Sequence, residues 1–306
     1  MKLFFRSALC LLTALVTAIL GCTLFPEEPQ AVQEAQTGLC LILPDGSRSY
    51  MNMDEYLLGV LAGEMPASFP EEALKAQAVA SRSYAAHVLA KGKHGDGTLC
   101  AQSCCQIYLT EEQCRDKWGQ DYDLYAEKLR ACIAATEGQI LRYGGEAAEA
   151  CFHASSLGCT ESSENLWGEA VPYLVSVSSP ESCESVPKLT TEVRFTPEEL
   201  SAALGSAVHG GGIGECVRDD AGRVSSLELM GKRYEGGELR TLLGLRSTDF
   251  TAELRDGAYV FTVNGYGHGV GMSQYGAKVM AEQGATYREI LAHYYPGTEM
   301  KVRSEE

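Results

Sequence analysis

Basic residues are scarce in this chain of 306: 25 Lys and Arg stand against 41 Asp and Glu, a net charge of −16. Nucleic-acid binders present basic surface to phosphates, so this balance argues against a nucleic-acid partner. An uncharged or mixed-charge partner is not repelled. Several catalytic signatures are also missing. There is no His-Glu-x-x-His, no Gly-x-Ser-x-Gly and no phosphate loop ending in Gly-Lys-Ser/Thr, which removes the usual support for metalloprotease, α/β-hydrolase and nucleotide-dependent chemistry. No Cys-x-x-Cys pair occurs, and no internal repeat is visible. Charged residues make up only 22% against 45% hydrophobic, so most of the chain folds.

What is present begins with an address. Lys2 and Arg6 precede an apolar run over 8–25, followed by Glu27 and Glu28. That is the layout of a signal sequence or of a membrane anchor with its positive end inside. Eighteen residues just span a bilayer. Ile19-Leu20-Gly21-Cys22 also resembles a lipoprotein cleavage box. An uncleaved single span, a lipidated anchor and simple secretion all put the remainder outside the cytoplasm, so a cell-membrane location with an extracytoplasmic main domain is expected.

Cysteine is plentiful at 12. Cys10 and Cys22 belong to the leader, and the ten that remain are an even number consistent with disulfides in an oxidising compartment. Cys100, Cys104, Cys105 and Cys114 read as a stapled loop.

The fold class expected is α+β: a mixed main domain with an inserted smaller α+β subdomain, preceded by the anchor. Residues 1–25 are the anchor and 26–38 a tether. Residues 39–184 and 251–306 form the main domain, and 185–250 the insertion. A hairpin-like start over 39–50 leads to a helix over 53–63 that stops before Pro66. Ser68 and Glu71 offer a capping box for a second, alanine-rich helix over 71–89. Residues 92–119 read as loop, 124–137 as helix, and 139–154 as a strand pair turning at Gly144-Gly145. Helices are expected over 191–204, 236–243, 277–283 and 287–293, with strands over 225–230 and 258–263.

Four places carry candidate chemistry. Glu64 sits between a helix stop and a helix start, where partial desolvation raises a carboxyl pKa and suits it to protonate a leaving oxygen; a solvated loop glutamate is the alternative. Arg82 lies on the alanine-rich helix and needs a partner if buried, as a structural ion pair or in a substrate cleft. His153 with Cys151 and Cys159 lies in a hydroxyl-rich stretch over 151–164, and reads as a zinc site, or as a disulfide or free thiols with a structural histidine. The segment 264–276 has glycine at 265, 267, 269 and 271, which lets a ligand lie close to backbone and presents His268, Ser273 and Gln274.

Together these residues resemble the stage II sporulation protein D family, which includes amidase-enhancer proteins. The resemblance is carried by Tyr56 through Tyr84 with Ala62-Gly63-Glu64-Met65-Pro66 at its centre, then Cys105-Gln106-Ile107-Tyr108, then Phe152 to Ser156 with Thr160 to Glu164 and Trp167, then Gly267 to Gly276 and Tyr294-Tyr295-Pro296-Gly297. It spans about 40–300. It implies a lytic transglycosylase that cleaves peptidoglycan between N-acetylmuramic acid and N-acetylglucosamine during forespore engulfment, preferring strands stripped of stem peptides by a partner amidase.

The family's catalytic glutamate falls on Glu64. Its substrate-binding positions fall on Arg82, Gln77, Gln106, Tyr108, Ser155, Ser156, His268, Ser273, Gln274 and Tyr275. Cys151 stands where an aromatic is usual and Leu157 where a small residue is common. No cofactor is needed for the chemistry, but zinc is a candidate structural ion, with His153 and Cys159 at two ligand positions. The partners implied are glycan strands, a cell-wall amidase and membrane proteins of the engulfment machinery. A non-catalytic glycan-binding protein that recruits or stimulates the amidase is the alternative reading.

Overall fold

A computed structural model describes residues 38–302, except 96, 103 and 206–211. The anchor and most of the tether expected over 1–38 lie outside the described residues. Among those described, no helix is long and apolar enough to cross a membrane. The architecture is mixed α+β with several small sheets.

Strands β1 (Leu39–Ile42) and β2 (Arg48–Met51) form the expected antiparallel hairpin. Helix α1 (Met53–Glu64) starts at Asn52, whose side chain accepts from the Glu55 amide while Glu55 accepts from the Asn52 amide. It ends where Met65 turns extended ahead of Pro66, which leaves Glu64 as its last residue. Helix α2 (Glu71–Lys91) is longer than its alanine-rich stripe suggests and runs through the core, packed on α1 and on later helices. The capping box expected from Ser68 does not form. Pro70 is the cap, with no side-chain cap hydrogen bond, so Ser68 lies two residues too early to reach the helix amides and Glu71 is left in the first turn.

The segment expected as loop holds strand β3 (Thr98–Cys100), parallel to β1, and helix α3 (Glu111–Trp118). Only Cys114 of α3 is buried, so no apolar stripe marks it; Thr110 and Gln113 supply its capping box. Helix α4 (Tyr122–Ala135) follows, then the hairpin of β4 (Gln139–Tyr143) and β5 (Glu146–Ala147).

Short pieces come next: β6 (Phe152–His153), β7 (Gly158–Cys159), α5 (Ser163–Trp167) and β8 (Ser178–Ser179). The start of the 191–204 segment is a strand, β9 (Thr190–Phe195), and not helix. Its side chains alternate in burial, and the helix waits for the Thr196 cap and Pro197, giving α6 (Pro197–Ala203). Strands β10 (Ile213–Arg218), β11 (Val224–Leu229) and β12 (Lys232–Glu235) make one antiparallel sheet, and α7 (Gly236–Leu242) leaves it. Strand β13 (Phe250–Arg255) pairs with β14 (Ala258–Asn264), which also pairs with β9. The chain closes with β15 (Met272–Ser273), α8 (Gln274–Glu282), α9 (Tyr287–Tyr294) and β16 (Glu299–Val302).

Two apolar clusters hold these elements. One gathers Tyr56, Leu57, Leu61, Leu74, Leu99, Leu129, Tyr294 and Tyr295 around α2. The other gathers Leu200, Leu227, Leu229, Leu239, Phe250, Phe261 and Val263. Its sheet draws strands from both sides of position 250, because β14 is the partner β9 needs. The glycine-dense turn then carries the chain from β14 back to the first cluster, where β15 pairs in parallel with β6.

Disulfides are fewer than the cysteine count suggests. Cys100 and Cys104 are joined, and the other eight described cysteines are free. Cys40, Cys114, Cys132 and Cys151 are buried at separate places, where a thiol packs as a small apolar side chain.

Candidate active site

A cavity of about 590 Å³ opens beside the end of α1. Glu64 and Gly63 line one side, with Cys105 and Ile107 next to them; Tyr84 of α2, Glu149, Phe152, His153, Trp167, Tyr266, His268 and Gln274 complete it. Gly63 permits this arrangement, since a Cβ there would sit 2.8 Å from the Ile107 carbonyl oxygen. The close segment returns a hydrogen bond: the Ile107 amide donates to Glu64 Oε1 at 2.6 Å. Burial raises the Glu64 carboxyl above its ordinary range, and the Ile107 amide opposes this in part. A half-buried carboxyl held by one donor at the wall of a cavity is poised to keep its proton longer than a free glutamate and to pass it to a bound oxygen.

The opposite wall is two loops zipped together. Ser155 and Tyr266 exchange backbone hydrogen bonds at 2.8 and 3.1 Å, and the Glu161 amide donates to the Gly269 carbonyl at 2.8 Å. Gly267 takes φ +116°, and a Cβ there would press on the His153 side chain. The His268 Nδ1 accepts from the Val270 amide at 3.1 Å, so the neutral ring carries its proton on Nε2. Burial, with Arg240 and Arg223 nearby, pushes the His268 pKa down to about 4. Trp167 lies against its ring at 5.9 Å between centroids.

The chain's likenesses fit this site. A family model described as "Stage II sporulation protein" matches residues 47–143, which hold Glu64 and its Ile107 donor. Stage II sporulation protein D of Bacillus amyloliquefaciens is 38% identical over 254 residues, covering 81% of this chain and 74% of the relative. The protein of that name from Bacillus subtilis is 37% identical over the same shares. The chain belongs to the stage II sporulation protein D family. The amidase enhancer of Bacillus subtilis is a more distant relative, 29% identical over 79% of this chain and 40% of its own length.

Within this family member the residues expected at the site divide. Glu64, His153, His268 and Gln274 line the cavity. Arg82 does not. Its guanidinium donates to the carbonyls of Thr136 at 2.8 Å, Gln139 at 3.2 Å and Ile133 at 3.4 Å, with Asp54 at 3.8 Å, so it closes the C-terminal end of α4. Gln77 and Gln106 are buried behind the cavity: Gln77 binds Ser81 and Gln274, and Gln106 binds the Tyr56 hydroxyl and the Ser81 carbonyl. Tyr108 stacks on Tyr56 and lines a separate cavity with Leu109, Cys114 and Trp118. Tyr275 packs edge-on against Phe69.

The serines are internal. Ser156 is bonded to His153 Nε2 at 2.7 Å and to Arg223 at 3.1 Å, and its amide donates to Glu181. Ser273 and Ser179 also donate to Glu181. Glu181 therefore ties the 151–164 loop to the start of α8. Ser155 is buried, and its backbone holds Tyr266.

His153 and Cys159, expected as zinc ligands, belong to no group of three or more close ligand atoms among the described residues. Both His153 ring nitrogens are engaged, by Ser156 and by the Val270 carbonyl, and the Cys159 thiol faces the Ala221 carbonyl. Burial and the neighbouring His268 and Arg223 hold the His153 pKa well below its ordinary value. A different set fits zinc better. His94, Cys100, Cys104 and Cys105 bring their ligand atoms within 4.8 Å of one another, with His94 Nε2 3.2 Å from Cys105 Sγ. One imidazole and three thiolates are a tetrahedral zinc donor set once the Cys100–Cys104 disulfide is reduced. The sequence signal was His94 six residues before Cys100, hidden by reading the cysteines as staples. Tyr84, Glu149, Trp167 and Tyr266 also line the cavity and were not expected there; Tyr84 and Trp167 lie inside the motifs and Tyr266 in the glycine-dense segment.

Proposed function

We propose that this protein is a peptidoglycan lytic transglycosylase, cleaving the bond between N-acetylmuramic acid and N-acetylglucosamine in strands free of stem peptides, in cell-wall remodelling during forespore engulfment. The observation that supports this best is Glu64: a half-buried carboxyl with a raised pKa at the wall of a cavity flanked by Trp167 and Tyr266. Glu64 donates its proton to the leaving glycosidic oxygen as that bond breaks. The muramic acid C6 hydroxyl then attacks C1, and Glu64 takes the hydroxyl proton, which leaves a 1,6-anhydro end and restores the acid. No water is activated, so one carboxylate suffices, where hydrolysis needs two. The N-terminal run over 8–25 anchors the chain so that the cavity works outside the cytoplasm, beside a partner amidase. His94, Cys105 and, once reduced, Cys100 and Cys104 would hold a structural zinc ion.

Mass spectrometry of glycan strands incubated with the protein tests the reading. Anhydromuramic ends that disappear in Glu64→Gln, with folding intact, are the expected result. Reducing ends would make the protein a hydrolase and turn attention to Glu149, the second carboxylate lining the cavity. Intact strands that sediment with the protein would favour a binding module that stimulates an amidase.

A further inference from the structure

Behind the cavity wall that faces Glu64 stands a buried cation that the acid/base chemistry does not use. Arg223 is 3% exposed and lies just before β11, whose Val224, Leu227 and Leu229 pack in the second apolar cluster. Its guanidinium meets the loops of the wall at three places. Nη2 donates to Ser156 Oγ at 3.1 Å, and Nε stands 3.6 Å from Glu161 Oε2. Gly269, at φ +90°, makes the room, since a Cβ there would lie 2.7 Å from Arg223 Cζ and Nη2. Both members of the Arg223–Glu161 pair are buried, so losing either one strands a charge.

The first arm ends on His153. A guanidinium only donates, so Ser156 Oγ accepts from it, and the serine's own hydrogen goes to His153 Nε2, 2.7 Å away. His153 Nδ1 lies 3.2 Å from the Val270 carbonyl, which only accepts. A donor at one end and an acceptor at the other fix the order Arg223, Ser156, His153, Val270, with the imidazole proton on Nδ1. Burial first, then His268 and Arg223, keep this ring neutral.

The second arm ends on Trp167. Glu161 Oε1 accepts from the Ser162 amide at 2.7 Å and from Asn165 Nδ2 at 2.9 Å, and the Glu161 amide donates to the Gly269 carbonyl. Trp167 is the last residue of the short helix that Ser162 caps. The rings of His153 and Trp167 each pack on His268 at 5.9 Å between centroids, and all three line the cavity.

We propose that Arg223 is a positioning residue for substrate: it holds His153 through Ser156 and Trp167 through Glu161, so that three rings present one fixed face to a sugar. The inference rests on the reading of the cavity as a glycan site. Arg223 is not among the residues lining the cavity, so its effect on binding passes through those rings.

Nitrogen-15 histidine spectra of the full chain test the first arm. In the unsubstituted protein His153 should show a protonated Nδ1 and an imine-like Nε2. A proton on Nε2 instead would overturn the proposal, and this needs no variant to fold. Arg223→Met should move the Nε2 resonance towards that of a free imine nitrogen, and Arg223→Lys, which keeps a donor, should move it less.

With glycan strands, Arg223→Met should raise KM about fivefold or more and lower kcat by a smaller factor. Ser156→Ala should raise KM as well, and adding it to Arg223→Met should change little, because the two residues act in series. Effects that multiply, or an unmoved His153 Nε2 signal in folded Arg223→Met, would reject the role. Both results leave the Glu64 reading standing, because anhydro product from the unsubstituted protein scores it separately. An unsubstituted protein that cuts no glycan would remove that reading, and with it the substrate the rings are held for.

Discussion

At the scale of single residues, burial decides what a charged side chain is for. Arg82 is 4% exposed and spends its donors on three carbonyls at the end of α4. Removing it strands those acceptors, so Arg82→Ala should lower folding stability by about 2–4 kcal/mol in a denaturant titration. Saccharide affinity per folded molecule should stay unchanged; a selective loss of binding would return Arg82 to the cleft. His268 offers a second check. With its pKa near 4, the imidazole stays neutral down to pH 5, and an NMR titration of its ring protons should find a midpoint near 4. On acidification the unfolded chain takes up this proton first, near pH 6.5, so the stability His268 contributes is lost between about 6.5 and 4. A midpoint near 6.5 would show a solvated ring.

At the scale of elements, the site depends on backbone brought close to backbone. Gly271 has φ +72°, and a Cβ there would overlap the Cys151 carbonyl oxygen, which accepts from the Met272 amide at 3.1 Å. Gly271→Ala should break the β15–β6 pairing that carries Ser273 and His153. A loss of about 2 kcal/mol or more in thermal or denaturant unfolding is expected, with reduced cleavage. An alanine variant as stable and active as the parent would mean the turn has slack. This turn was legible in the sequence because glycine at alternate positions has few other uses. Helix α3 was not, since a short exposed helix held by its cap leaves no apolar period to read.

At the scale of the whole molecule, the site is assembled from distant parts. Glu64 ends α1, its amide donor comes from the segment after the Cys100–Cys104 bridge, and the facing wall comes from 152–167 and 266–274. The thiol cluster is continuous with the cavity through Cys105. Reduced protein should therefore take up one zinc ion per chain by native mass spectrometry. Cys105→Ser should lose it and Cys159→Ser should keep it, the reverse of what the sequence reading of the 151–164 loop implies. Uptake that depended on Cys159 would reject the His94 cluster.

The sequence by itself determined the local rules: where α1 stops and so where Glu64 stands, the alanine-rich helix behind it, the glycine-dense turn, and the family to which these motifs point. Those signals are short in range, set by proline, caps and residue period, and survive in one dimension. Only the tertiary structure decided which polar side chains face the cavity and which serve the interior. Arg82, Ser156 and Tyr108 share motifs with Glu64 and His268, but each is turned away by a partner from another part of the chain. A buried polar group goes to whatever acceptor or ring the fold brings within reach, and that distance has no record along the chain.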